Sequence, residues 1–164
     1  MINRKVEEAI NEQINAELYS AYIYLSMASW FDSMNLGGMA HWMNLQAKEE
    51  VEHALKFADF LMERGGRVIY KAIEGPETEW PSPLEAFRAA YDHEKYVTRR
   101  INDLMDIAIA EKDYASQVFL QWFITEQVEE EASASEIVGR LEMIGDGKHG
   151  LLMIDKELAG REDD

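Results

Sequence analysis

Apolar residues recur at alternating three- and four-residue steps through four long stretches of this chain, the spacing of an amphipathic helix with one buried seam. Apart from Gly139, glycine and proline fall at Gly37-Gly38, Gly65-Gly66, Gly75 to Pro83 and from Gly145 onward. The stretches between these clusters predict helices near residues 5 to 33, 38 to 64, 83 to 111 and 114 to 145. At 1.5 Å per residue each runs roughly 40 to 50 Å, a length that needs helical partners. The first and third connections, around Met34 to Gly37 and at Lys112-Asp113, are short and join antiparallel neighbours. The middle one, Gly65 to Ser82, is long enough to travel the length of a bundle, so the second and third helices can run parallel. Ser82, Pro83 and Glu85 mark the start of the third helix with an N-cap, a proline at the first helical position and a capping-box glutamate. The expected fold is all-α: two antiparallel hairpins joined by a long crossover, with Leu151 to Leu158 as a short fifth helix. Residues 1 to 145 are taken as the four-helix bundle and 146 to 164 as a C-terminal helix and tail of the same domain.

Each seam is broken by a polar residue. The first reads Ile10, Ile14, Glu17, Ala21, Tyr24, Ala28 and Phe31; the second Met39, Met43, Gln46, Glu50, His53, Phe57 and Phe60. The third reads Leu84, Phe87, Tyr91, Glu94, Thr98, Ile101, Met105 and Ala108; the fourth Leu120, Phe123, Gln127, Glu130, Ala134, Ile137, Leu141 and Ile144. A single glutamate on a seam is ordinarily a partly exposed residue at a bundle end. Here the breaks fall near the middle of all four helices, so any packing of equal-length helices brings them to one level. Four buried carboxylates without partners cost several kcal/mol each, a cost that protonation or cations remove. Two divalent ions supply the four charges that Glu17, Glu50, Glu94 and Glu130 require. His53 shares the helical face of Glu50 and adds a nitrogen ligand. Carboxylates with one imidazole and no sulfur suit iron or manganese, with zinc able to take the same ligands.

Glu49, Glu126 and Glu129 sit one position off the seams, placed either to hold a third, looser cation or to form an acidic solvated face; for Glu131 the solvated face is the expectation. Tyr24 is read as a hydrogen-bond partner of a ligand, an electron donor or a plain core tyrosine. Trp122 is read as packing, and His41, His93 and His149 as surface histidines. Composition narrows the function classes. Thirty-two acidic residues against 16 basic ones give a net charge of −16 and argue against binding nucleic acid through its phosphates. There is no cysteine, so neither disulfides nor thiolate ligands enter. The absence of an apolar run of about 18 residues, or of an apolar leader before the first amphipathic pattern, leads to the expectation of a soluble cytoplasmic protein without a membrane partner.

Glu17, Glu50-x-x-His53, Glu94 and the run EQVEEE at 126 to 131, with YSAYIYLSMASWFD and the ERGGRV turn at 63 to 68, resemble a non-haem prokaryotic ferritin over essentially the whole chain. Ferritin-like carboxylate proteins are the standing example of an inward Glu from two helices and Glu-x-x-His from the other two. The resemblance implies a ferroxidase that oxidises Fe(II) with O2 or H2O2 and stores the ferric mineral inside a self-assembled shell of about 24 subunits. By that likeness Glu17, Glu50 and His53 hold the first iron, Glu50 bridges, Glu94 and Glu130 hold the second, and Gln127 hydrogen-bonds nearby. Glu49, Glu126, Glu129 and Glu130 form a third site, and Tyr24 stands beside the pair. Gln127-x-x-Glu130 in place of Glu-x-x-His, and Val51 and Glu52 where bacterioferritin carries its haem methionine, imply that no haem is bound. Two rivals share the ligand set: a di-iron oxidase of an organic substrate, which needs a pocket beside the metals, and a non-catalytic metal buffer.

Overall fold

A computed structural model describes residues 1–163. Five helices follow in chain order: α1 (Arg4–Ser33), α2 (Gly37–Glu63), α3 (Pro83–Ala110), α4 (Tyr114–Ile144) and α5 (Lys148–Leu158). No strand occurs among the described residues. The starts are set by local chemistry. Asn3 accepts from the Lys5 amide at 2.8 Å and Ser82 accepts from the Glu85 amide at 3.1 Å, with Pro83 opening α3. Asp113 accepts from the Ser116 amide at 3.1 Å and also takes Arg64 at 2.9 Å, tying the start of α4 to the end of α2. The tight turns place Asn35 and Lys112 in the left-handed region (φ 60° and 55°), which reverses the chain within a few residues.

The helix directions follow from the end contacts. The Ile2 amide donates to the Arg64 carbonyl at 3.0 Å and Lys5 pairs with Glu111 at 2.8 Å, so α1 runs against both α2 and α3. Arg88, early in α3, pairs with Glu142, late in α4, at 2.9 Å. Two antiparallel hairpins therefore lie side by side with α2 and α3 parallel, as the long middle connection predicts. That connection, residues 64 to 82, is pinned along α1. Asn11 donates to the Arg67 carbonyl at 3.0 Å and accepts from the Ile69 amide at 2.8 Å, and Ser26 donates to the Glu77 carbonyl at 2.6 Å. Trp80 is buried edge-on against Trp30 at 5.5 Å and packs on its own bundle, whereas Ile69 and Tyr70 stay exposed.

The fifth helix begins at Lys148, three residues before the sequence-based expectation. Gly147 and Gly150, which look like breakers, are compatible with it. A Cβ on Gly150 would lie 3.0 Å from Ile144, so glycine is there for close approach rather than to end a helix. α5 packs across α2 and α4.

The first, second and fourth seams bury almost throughout. In α3 the buried line instead runs through Phe87, Ala90, Glu94, Val97, Ile101, Leu104 and Ala108, leaving Leu84, Tyr91, Thr98 and Met105 of the expected seam half-buried. The core is in two parts. One apolar cluster runs through Tyr24, Met27, Phe31, Met43 and Phe87, the other through Ile10, Ile14, Phe57, Ile101 and Phe123. Between them lies a layer of buried polar residues.

Candidate metal centre

Glu17, Glu50, His53, Glu94, Gln127 and Glu130 occupy that layer, every one of them buried. Their positions follow from helix geometry: each sits mid-helix on the inward seam, and Glu50 and His53, three apart, project side by side. Ligand atoms of Glu17, Glu50 and His53 lie within 4.8 Å of one another, as do those of Glu50, Glu94 and Glu130. Glu50 belongs to both groups, so one carboxylate is placed to reach two cations at once.

The hydrogen bonds around this layer satisfy the outer oxygens and leave the inner ones. Gln13 donates to Glu17 Oε1 at 3.0 Å and is itself held by Arg100 at 3.2 Å. The Tyr24 phenol donates to Glu94 Oε1, and Gln127 donates to Glu94 Oε2 at 3.2 Å. Gln46 donates to Glu130 Oε2. In contrast, Glu17 Oε2, both Glu50 oxygens and His53 Nδ1 are buried without a hydrogen-bond partner. His53 Nδ1 lies 3.4 Å from Glu50 Oε2 and 3.9 Å from Glu17 Oε2, so these three polar atoms from two helices converge. Buried polar atoms are ordinarily paired, and each unpaired one costs about 1–3 kcal/mol, more for a charged group.

Electrostatics point the same way. Burial, then the nearby Glu17 and Glu94 carboxylates, pushes the Glu50 carboxyl well above its ordinary range. Burial raises Glu94 to about 7 against the opposing hydrogen bonds from Tyr24 and Gln127. Burial, then Glu94 and Glu49, raises Glu130 to about 9. Tyr24 is raised well above the usual phenol value by burial and by Glu94, which keeps its proton on and fixes it as a donor. The raised carboxyls of Glu50, Glu94 and Glu130 therefore favour their protonated forms, and carboxyls that hold protons for want of countercharge are sites a metal ion can take.

Of the residues expected at an outer site, Glu126 lies with His53 and Glu130 in a third group whose ligand atoms are within 4.8 Å. Glu49 and Glu129 are not gathered into a coordination group; they line the adjoining cavity of about 340 Å³ together with Glu126 and Glu130. Glu49 is engaged by Arg161 at 3.1 Å. Glu131 is not simply solvated, since the Thr98 hydroxyl donates to it at 2.7 Å. Two histidines read as surface residues are otherwise placed. His93 is half-buried, 2.7 Å from the Ser20 hydroxyl, and burial lowers it to about 4, leaving a neutral imidazole. His41 is half-buried and donates to the Arg161 carbonyl at 2.8 Å. Trp122 packs edge-on to His53 at 5.5 Å and carries the Lys56 ammonium 3.3 Å over its face.

Gln13, Gln46 and Arg161 support the layer and were not singled out from sequence. Gln13 stands one helical turn before Glu17, a spacing that identifies it as a partner. Arg161 lies beyond the bundle, where no periodicity reports on it.

Fold and layer together define a class: a four-helix bundle whose single chain gathers buried carboxylates and a histidine into groups able to hold metal ions. Comparison with known proteins narrows the class. The family described as the Ferritin-like domain matches residues 7–144. The bacterial non-heme ferritin of Bacteroides fragilis is 45% identical over 161 residues, covering 98% of this chain and 100% of its own, and that of Staphylococcus saprophyticus is 42% identical over 164 residues, covering 100% and 98%. The open pore ferritin of the hyperthermophilic archaeon Archaeoglobus fulgidus superposes with a TM-score of 0.98 at 56% identity, covering 99% of each chain. This chain belongs to the ferritin family. Among the described residues no helix is long and apolar enough to cross a membrane.

Proposed function

We propose that this chain is an iron-storage ferritin subunit that oxidises Fe(II) at a di-iron centre within its own helix bundle and stores the ferric product inside a multi-subunit shell in the cytoplasm. The observation that carries the reading is the cluster of buried, partnerless acceptors on Glu17, Glu50 and His53 between two apolar cores. Apolar packing does not need them, and cations satisfy them all. Oxygen donors with one imidazole suit iron, and sulfur is missing from the set.

In this assignment one Fe(II) is held by Glu17, Glu50 and His53 and a second by Glu50, Glu94 and Glu130, with Glu50 bridging. Loading displaces the protons held on the raised carboxyls. Each Fe(II) then gives one electron to O2, which takes two protons and leaves as H2O2; with H2O2 as oxidant, the same two electrons and two protons yield two waters. Four carboxylates around the pair favour the harder Fe(III), so the ligand field drives the oxidation forward. The Tyr24 phenol and the Gln127 amide hold Glu94 in register through these changes. The phenol, hydrogen-bonded to Glu94, is also placed to act as a one-electron donor, its proton passing to that carboxylate. Glu49, Glu126, Glu129 and Glu130 hold a third, looser cation at the mouth of the neighbouring cavity. That cavity carries several carboxylates and an arginine, a lining that suits cations and not an organic substrate. No haem takes part.

Stopped-flow oxidation of Fe(II) added to the metal-free protein tests the assignment. Wild type is expected to consume O2 rapidly, and Glu50→Ala, which removes the shared ligand, to assemble normally while losing at least about 10²-fold in initial rate. A Glu50→Ala protein that oxidised Fe(II) at the wild-type rate would remove Glu50 from the centre.

A further inference from the structure

Arg161 follows the last turn of α5, yet its side chain returns to α2 and ends in the cavity beside Glu130. One guanidinium nitrogen, Nη1, donates to the Trp42 carbonyl at 3.1 Å and to Gln46 Oε1 at 2.9 Å. The other, Nη2, lies 3.1 Å from Glu49 Oε1, and the group rests over the Trp42 ring with Cζ 4.7 Å from its centroid. The backbone carbonyl of the same residue takes the His41 proton. Side-chain exposures of 19% for Arg161 and 13% for Glu49 place this ion pair mostly out of solvent. An arginine has donors only, so its bond fixes Gln46 with Oε1 outward and Nε2 turned inward, where it donates to Glu130. The guanidinium thus does two things at once: it brings a fixed positive charge into an acidic cavity, and it sets the amide that holds a ligand of the inner pair.

We infer that Arg161 is a displaceable counter-ion of the outer cation site, holding Glu49 while the site is empty of metal and leaving it when a divalent ion takes that carboxylate. The inference rests on the reading that Glu49, Glu126, Glu129 and Glu130 form such a site. Both the ion and the guanidinium need the same Glu49 carboxylate, so they compete for it. The outer site is consequently weaker than the inner pair, and its filling loosens the guanidinium's hold on α2 while the His41 bond to the Arg161 carbonyl and the Lys48–Asp163 pair still tether the chain end. Gln46, released from Arg161, is then able to turn, which transmits the occupancy of the outer site to Glu130.

Calorimetric titration of the full-length metal-free protein with Zn(II), a redox-inert probe, reads the competition directly. Arg161→Gln is expected to bind the ion beyond the first two per subunit about tenfold more tightly than wild type, the value of a largely desolvated ion pair of about 1.4 kcal/mol. Arg161→Lys, which keeps the charge but loses the forked geometry, is expected to fall between them. Unchanged or weaker outer binding in Arg161→Gln would overturn the inference while leaving the outer site intact. An outer ion absent from both proteins would overturn the outer site itself, and the inference with it. Hydrogen exchange on the wild-type protein gives an independent readout: the amides of 159 to 161, bonded back into the last turn of α5, are expected to lose protection when Zn(II) exceeds two per subunit, and unchanged protection contradicts displacement.

Discussion

The protons stored on the polar layer give the account a quantitative handle. Two ions bind only if the raised carboxyls give up their protons, so binding must release protons in a number set by their pKa values. At pH 7 a carboxyl at about 9 is essentially fully protonated and one at about 7 is half protonated, so Glu130 and Glu94 together release about 1.5 protons per subunit. Glu50, raised well above its ordinary range, adds up to about one more. The same arithmetic gives about 1.9 protons from the first two groups at pH 6 and about 1.0 at pH 8. The sign is fixed: protons compete with the metal, so affinity rises with pH. The roughly 1.5 protons from Glu94 and Glu130 alone make the overall constant for two ions increase at least about 30-fold per pH unit near neutrality. The assay is calorimetric titration of metal-free protein with Zn(II) in buffers of different ionisation enthalpy, at saturation. Glu130→Gln, which cannot ionise, should lower the yield at pH 7 by about one proton. Release of less than about 0.5 proton, or a yield indifferent to pH and to Glu130→Gln, would refute the reasoning that the carboxyls are protonated for want of cations.

Two further predictions concern stability. Glu50→Met replaces a buried, partnerless carboxyl with an apolar side chain of similar length, so the metal-free protein should gain about 1–4 kcal/mol in denaturant unfolding while losing metal binding; a destabilised variant would mean that Glu50 serves the fold. Gly38→Ala places a Cβ 1.7 Å from the Asp155 carbonyl oxygen, so α5 must shift off α2 at a cost of about 1–3 kcal/mol, visible as faster hydrogen exchange over 148 to 158. Gly37→Ala, whose Cβ meets nothing within 4 Å, is the control and should stay within about 0.5 kcal/mol in thermal unfolding.

The parts of this molecule that the sequence makes legible are those governed by period. Seam stepping locates Glu17, Glu50, His53, Glu94, Gln127 and Glu130 because a buried carboxylate violates an otherwise apolar face, and the four violations share one level. The crossover is legible from its length alone, since no short connection lets two consecutive helices run parallel. Contacts made across the grain of the helices are not legible in this way. Ser20 and His93 meet from different helices, and neither carries a partner at helical spacing. Asn11 is buried off the apolar seam because its amide caps the backbone of the crossover, a role that no local pattern announces. Arg161 reaches the site only because α5 folds back across α2, and Gly38 marks that approach only once the partner, Asp155, is known. The start of α5 was displaced for a related reason: Gly150 reads locally as a breaker and is there to let Ile144 come close.

The central claim is that two irons bind inside a single chain between its two apolar cores, sharing Glu50. Anomalous diffraction at the iron edge, from crystals of metal-free protein loaded with Fe(II) without oxygen, tests it most directly. Two peaks are expected in every subunit, one against Glu17, Glu50 and His53 and one against Glu50, Glu94 and Glu130, both lost in Glu50→Ala. Iron found only between subunits or on the acidic surface, with the layer around Glu50 empty, would contradict it.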